Sequence, residues 1–136
     1  MRLRILLFFL PIVLHAVDTF KLGDIIPPDA GITKPIDENN HANLQLRENH
    51  FYLYILDKER KVITPPYAGA FVRYRYLSGR KRNKQYTTSL NNDGTLFTSP
   101  RVIAPPHHFF FYVRFKKEDG SIIEIPRMEK NINEKI

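Results

Sequence analysis

The residues able to do chemistry fall into three groups. The densest is basic: Arg73, Arg75, Arg80, Lys81, Arg82 and Lys84 crowd one short segment, with Tyr74, Tyr76 and Tyr86 between or beside them, and Arg101 and Arg114 further along. Guanidinium and ammonium groups at this density suit phosphate, sulfate or carboxylate, and interleaved rings add flat contact area. In a cytosolic chain this pattern would point to nucleic acid. In an exported chain it points to an acidic protein, a polysaccharide or lipid head groups. The competing explanation is a solvated hairpin whose charges protect a sheet edge.

The second group is the pair His107 and His108. Imidazole suits Cu or Zn, and Met128 would add a soft ligand for Cu(I). Adjacent residues of a strand point to opposite faces, so the pair chelates together only where a loop at Pro106 relaxes the strand. His41 and His50 stand apart, without ligand spacing. The third group is acidic. Asp57, Glu59, Asp93 and Asp119 all sit in turn signals, where carboxylates serve the backbone.

The chain has no cysteine, which excludes disulfides, thiolate metal sites and cysteine nucleophiles. It has no glycine-rich phosphate loop, no nucleophile elbow and no paired metal-binding histidines at helical spacing. The reading is a non-catalytic binding protein with no resident cofactor. Its contact surface is the basic hairpin, with His107 and His108 as the metal alternative.

The elements that position these residues are strands. His107–Lys116, HHFFFYVRFK, organises the chain. Phe109, Phe111, Val113 and Phe115 share one face, as in a strand with one buried side. His50–Leu56 is apolar on both faces, which suits a central strand. Lys61–Thr64 is short and ends at Pro65-Pro66. Gly69–Leu77 and Lys84–Leu90 form the basic hairpin around Ser78–Asn83. Asn91-Asn92-Asp93-Gly94 signals a tight turn into Thr95–Ser99. Glu118-Asp119-Gly120 turns the aromatic strand into Ser121–Ile125. About seven short strands, with prolines in the connections, predict an immunoglobulin-like antiparallel β-sandwich over 49–126. Segment 17–48 reads as an extended, proline-containing linker with a short edge strand near Leu44–Leu46. Residues 127–136 read as a charged, fraying tail.

Met1–Ala16 has the layout of a secretory signal: Arg2 and Arg4, then the apolar run Ile5–Leu14, then Ala16 at a cleavage position. Ten apolar residues fall short of the ~20 that a spanning helix needs. Cleavage after Ala16 removes two of the charges behind the formal net charge of +7. It leaves about 120 residues, enough to build an apolar core without disulfides. The expected location is periplasmic or secreted. No later segment has membrane length.

A further pattern runs through Asn40–Ile125: Ile55-Leu56-Asp57 leading to Lys61-Val62, a proline-rich loop with Ala68-Gly69-Ala70, a basic hairpin, an Asn-Asp-Gly turn with Leu96, and a strand ending in Asp119-Gly120. It resembles small bacterial periplasmic sandwich domains found near metal-efflux systems. The resemblance implies the sandwich fold and a periplasmic setting, and it implies no catalytic residues. It makes a metal-binding accessory protein using His107 and His108 one alternative. A structural module of a larger envelope assembly is the other.

Overall fold

The computed structural model describes residues 19–126 and 128–131. The expected secretory signal, Met1–Ala16, lies outside the described residues. The described chain is all-β, with ten antiparallel strands and no helix. Among the described residues no helix is long and apolar enough to cross a membrane.

The strands are β1 (Ile32–Pro35), β2 (His41–Arg47), β3 (His50–Leu56), β4 (Val62–Ile63), β5 (Gly69–Tyr76), β6 (Gln85–Asn92), β7 (Phe97–Thr98), β8 (His108–Lys116), β9 (Ile122–Glu124) and β10 (Met128–Asn131). They form one sheet in the order β1-β2-β3-β7-β6-β5-β8-β10, with β4 on β3 and β9 on β8. The sheet changes direction along β6. The stretch 85–90 pairs with β5, while Asn91 and Asn92 pair with β7. The two halves therefore curl toward each other and bury one continuous core.

The alternation of the aromatic strand holds. Phe109, Phe111, Val113 and Phe115 are all fully buried, facing Val72, Tyr74 and Tyr76 of β5 on the same side of the sheet. Rings cross from one half to the other. Phe51 of β3 meets Tyr74 at 5.5 Å between centroids, and Phe97 of β7 meets Phe115 at 6.2 Å. Edge-on geometry of the first kind suits the ring quadrupoles.

The reading of 17–48 as a linker is corrected from residue 19 onward. This stretch supplies β1 and β2, and it covers the second apolar face of β3. Ile26 is fully buried against Tyr54, Leu56, Val62 and Leu96, with Phe20 and Ala30 packed alongside. Prolines and polar residues hide this role, because the segment packs mainly through loops rather than through a strand alternation. Its carbonyls are held by side chains from the body. Arg60 donates to the Ile26 oxygen at 2.7 Å and to the Pro27 oxygen at 3.0 Å. Asn43, buried on β2, donates to the Ala30 oxygen at 2.8 Å and to Thr33 Oγ1 at 2.9 Å. Buried amides need such partners.

The expectation of seven strands is also corrected, to ten. β1 and β10 are additions, and the short edge strand expected near Leu44–Leu46 is the longer β2, placed between β1 and β3 rather than at the edge. β10 pairs with β8 through Met128 opposite Phe111, so the supposed fraying tail continues the sheet to Asn131. Pro126 interrupts the edge between β9 and β10 rather than ending it. Proline lacks the donor that an edge pairing would use.

The turns follow their sequence signals. Asp93 Oδ1 accepts from the Thr95 and Leu96 amides at 2.8 and 3.0 Å, and Gly94 takes the left-handed backbone. Asp57 Oδ1 accepts from the Glu59 and Lys61 amides, and Asp119 Oδ1 from the Ser121 amide and hydroxyl. The Ser121 bonds hold the Asp119 carboxyl below its ordinary range.

Candidate functional site

The period of two decides which residues of the basic hairpin meet solvent. Along β5 the buried set is Ala70, Val72, Tyr74 and Tyr76, and the outward set is Phe71, Arg73 and Arg75. On β8 the outward set is Phe110, Tyr112 and Arg114. Register aligns the two strands. Phe71 is opposite Arg114, Arg73 opposite Tyr112, and Arg75 opposite Phe110. The outer face thus alternates three arginines with three half-buried rings.

Tyr74 and Tyr76 do not serve as surface rings. Both point inward and pack on Phe109 at 5.3 and 4.7 Å between centroids. Burial raises the pKa of both hydroxyls, that of Tyr76 to about 12. Tyr76 donates to the Ala104 carbonyl oxygen at 2.6 Å. The flat contact area of the outer face comes instead from Phe71, Phe110 and Tyr112. Alternation along β5 sets Phe71 beside Arg73, whereas only strand pairing brings Phe110 and Tyr112 there, and no spacing within the hairpin announces those two. Arg114, distant in sequence, joins the same way.

The face is shallowly grooved. One cavity, of about 190 Å³, is lined by Arg73, Arg75, Gln85, Phe110, Tyr112 and Glu124 among others. A second, of about 350 Å³, lies between Phe71, Arg73, Gln85, Thr87 and Arg114. Arg73 stands between the two, and the Gln85 amide oxygen, in the orientation that satisfies both groups, accepts from its guanidinium. Among the described residues Glu124 is the only carboxylate lining either groove, and it pairs with Arg114 at 3.4 Å. An exposed pair of this kind contributes little to stability. Arg73 and Arg75 take part in no ion pair among the described residues.

The turn continues the positive surface. Arg80, Arg82 and Lys84 are exposed. Lys84 donates its amide to the Lys81 oxygen at 2.8 Å, and Asn83 adopts φ 67°. Lys81 departs from its neighbours. Its Nζ lies 5.3 Å from the centre of the Tyr86 ring and 5.8 Å from that of Tyr76, on the inner side. Gly79 fixes the turn against the loop before β8. Its φ is +79°, and a Cβ there would meet Pro106 Cγ and Cδ at 2.9 Å.

The histidines are held by separate partners. His107 Nε2 lies 3.0 Å from the Ile103 oxygen, and His108 Nδ1 lies 3.3 Å from Ser78 Oγ. His50 Nδ1 faces the Ser99 oxygen at 2.9 Å. Met128 is a buried core residue opposite Phe111, so its thioether serves packing. No group of three His, Asp or Glu side chains converges in a metal-holding arrangement among the described residues.

No family model, no curated protein and no solved structure matches the chain.

Proposed function

We propose that this chain is an exported, non-catalytic binding module of immunoglobulin-like fold, and that the outer face of β5 and β8 docks an acidic surface of a partner protein. The observation that carries it is the alignment of Arg73, Arg75 and Arg114 with Phe71, Tyr112 and Phe110 in one patch. Arg and aromatic residues are the types enriched at the energetic centres of protein interfaces. Rings bring contact area at low entropic cost, and a guanidinium fork donates two parallel hydrogen bonds to one carboxylate. Arg80, Arg82 and Lys84 extend the field beyond the patch and would steer an acidic partner toward it.

The strand order supports the fold reading. β2, β3 and β7 are neighbours in one half and β5, β8 and β9 in the other, with β6 paired to both β5 and β7, an adjacency compatible with a sandwich of this kind. Export rests on the Met1–Ala16 pattern. With no cysteine in the chain, its core must close without disulfides.

The test is capture from an envelope extract with wild-type chain and with Arg73→Ser/Arg75→Ser/Arg114→Ser. Anionic lipid vesicles and an immobilised polyuronate run alongside. Loss of a defined protein partner in the variant supports the reading. Retention on vesicles or polyuronate alone moves the partner to those classes, and equal capture by both proteins overturns the patch.

A further inference from the structure

The inner side of the same hairpin opens into a separate cleft of about 190 Å³ beside β6. Tyr74, Tyr76, Tyr86 and Thr88 form its wall, and Lys81 and Arg101 both line it. Its lining contains no carboxylate, and neither cation makes an ion pair among the described residues. Two unneutralised cations thus meet in one concave site.

The rings pre-organise that site. Tyr74 and Tyr86 stack at 5.6 Å with 27° between planes, and Tyr76 meets Tyr86 edge-on. Their faces cover one another and Lys81, which fixes the ammonium without cancelling its charge. Tyr76 spends its proton on the Ala104 oxygen. The Tyr74 and Tyr86 hydroxyls make no hydrogen bond among the described residues, which leaves two donors beside two cations. Arg101 and Val102, on the loop that closes the cleft, are exposed.

We propose that this cleft binds an oxyanion, a carboxylate or phosphate, carried on a body about the size of one sugar unit. Arg101 offers a planar fork and Lys81 a point charge, the usual pair for such groups. The tyrosine edges and Val102 suit the apolar part of a small ring. The volume exceeds that of a lone ion and falls below the ~300 Å³ at which pockets for drug-sized ligands begin. The site is distinct from the outer patch, because Arg73 and Arg75 point to the opposite side of β5.

The test is a two-dimensional NMR titration of the chain with sodium glucuronate in one arm and inorganic phosphate in another. Saturable shifts are expected at the backbone amides of Tyr86–Thr88 and Val102–Ala104. Lys81→Ser/Arg101→Ser should weaken binding about tenfold or more, as the loss of two charge-assisted hydrogen bonds implies. Arg73→Ser/Arg75→Ser should leave it unchanged, which separates this site from the outer patch. Tighter binding of glucuronate identifies an acidic sugar, and tighter binding of phosphate a phosphorylated ligand. No saturable shift at these amides in either arm overturns the proposal, as does wild-type affinity in the double variant. Should the double variant lose its fold, Arg101→Ser alone decides, because Arg101 is exposed.

Discussion

The guanidinium carbon of Arg75 lies 5.2 Å from the centre of the Phe110 ring, and the two residues are register partners across β5 and β8. The pairing holds a cation over a ring on the outer face, and Arg75 makes no ion pair among the described residues. A partly exposed cation–ring contact contributes about 0.5–1 kcal/mol. A double-mutant cycle of Arg75→Ala and Phe110→Ala, read by urea unfolding, should give a coupling of that size. Additive single effects would mean that the two side chains only share space.

Gly79 ties the basic turn to the loop before β8. Gly79→Ala places a methyl in left-handed backbone, which costs about 1–2 kcal/mol for an L-residue. It also drives a Cβ against Pro106. A fall in stability of at least that size is expected in thermal or urea unfolding, and unchanged stability would show that the turn is not seated on Pro106.

Tyr76 links the core to alkaline stability. Its folded pKa stands at about 12 against an ordinary 10.0. Between those values the unfolded chain has lost the proton that the folded chain keeps, so the native state binds more protons and stability falls as pH rises. The contribution is complete below about pH 10 and disappears as pH passes about 12. Tyr76→Phe should flatten this alkaline decline. It should also cost about 1–2 kcal/mol at neutral pH, because the Ala104 oxygen loses its partner. An identical pH profile in the variant would assign the decline to other tyrosines.

Much of this structure is legible in the residues, and the parts that are not have physical reasons. β5 and β8 announce themselves because one-sided burial leaves a clean alternation, and β3 because it is an apolar run of strand length. The apolar second face of β3 is visible too. Its cover is not, since Ile26 and Phe20 reach it from a proline-rich segment without periodicity. Arg60 illustrates the difficulty. It looks like one more turn charge, yet it adopts φ 65° and clamps the Ile26 and Pro27 carbonyls. The outer patch is half legible. Alternation alone turns Arg73 and Arg75 outward and Tyr74 and Tyr76 inward. Only the pairing of β5 with β8 brings Phe110, Tyr112 and Arg114 beside them, and strand pairing over such a distance leaves no mark in local sequence. The cleft depends on Arg101 meeting Lys81 through a loop, which is further still from any motif.

Export has a direct chemical readout. The Met1–Ala16 pattern predicts that the protein recovered from the extracytoplasmic fraction begins at Val17. N-terminal sequencing should find that start. Recovery from the cytosol alone, with Met1 in place, would remove the compartment on which the choice of partner rests.

The central claim is that position on the outer face, and not net charge, determines binding. The decisive measurement compares three proteins on one immobilised acidic partner: wild type, Arg73→Ser/Arg75→Ser/Arg114→Ser, and the charge-matched control Lys21→Ser/Lys34→Ser/Lys58→Ser, whose lysines are exposed elsewhere. Both variants lose the same charge. Retention is followed from about 0.1 M to about 1 M salt, over which the screening length falls from about 10 Å to about 3 Å. The account predicts that wild type and control are retained at low salt and released as salt rises, while the arginine variant is not retained at all. Equal loss in both variants would reduce the effect to net charge, and equal retention of all three, indifferent to salt, would contradict the outer face as the binding surface.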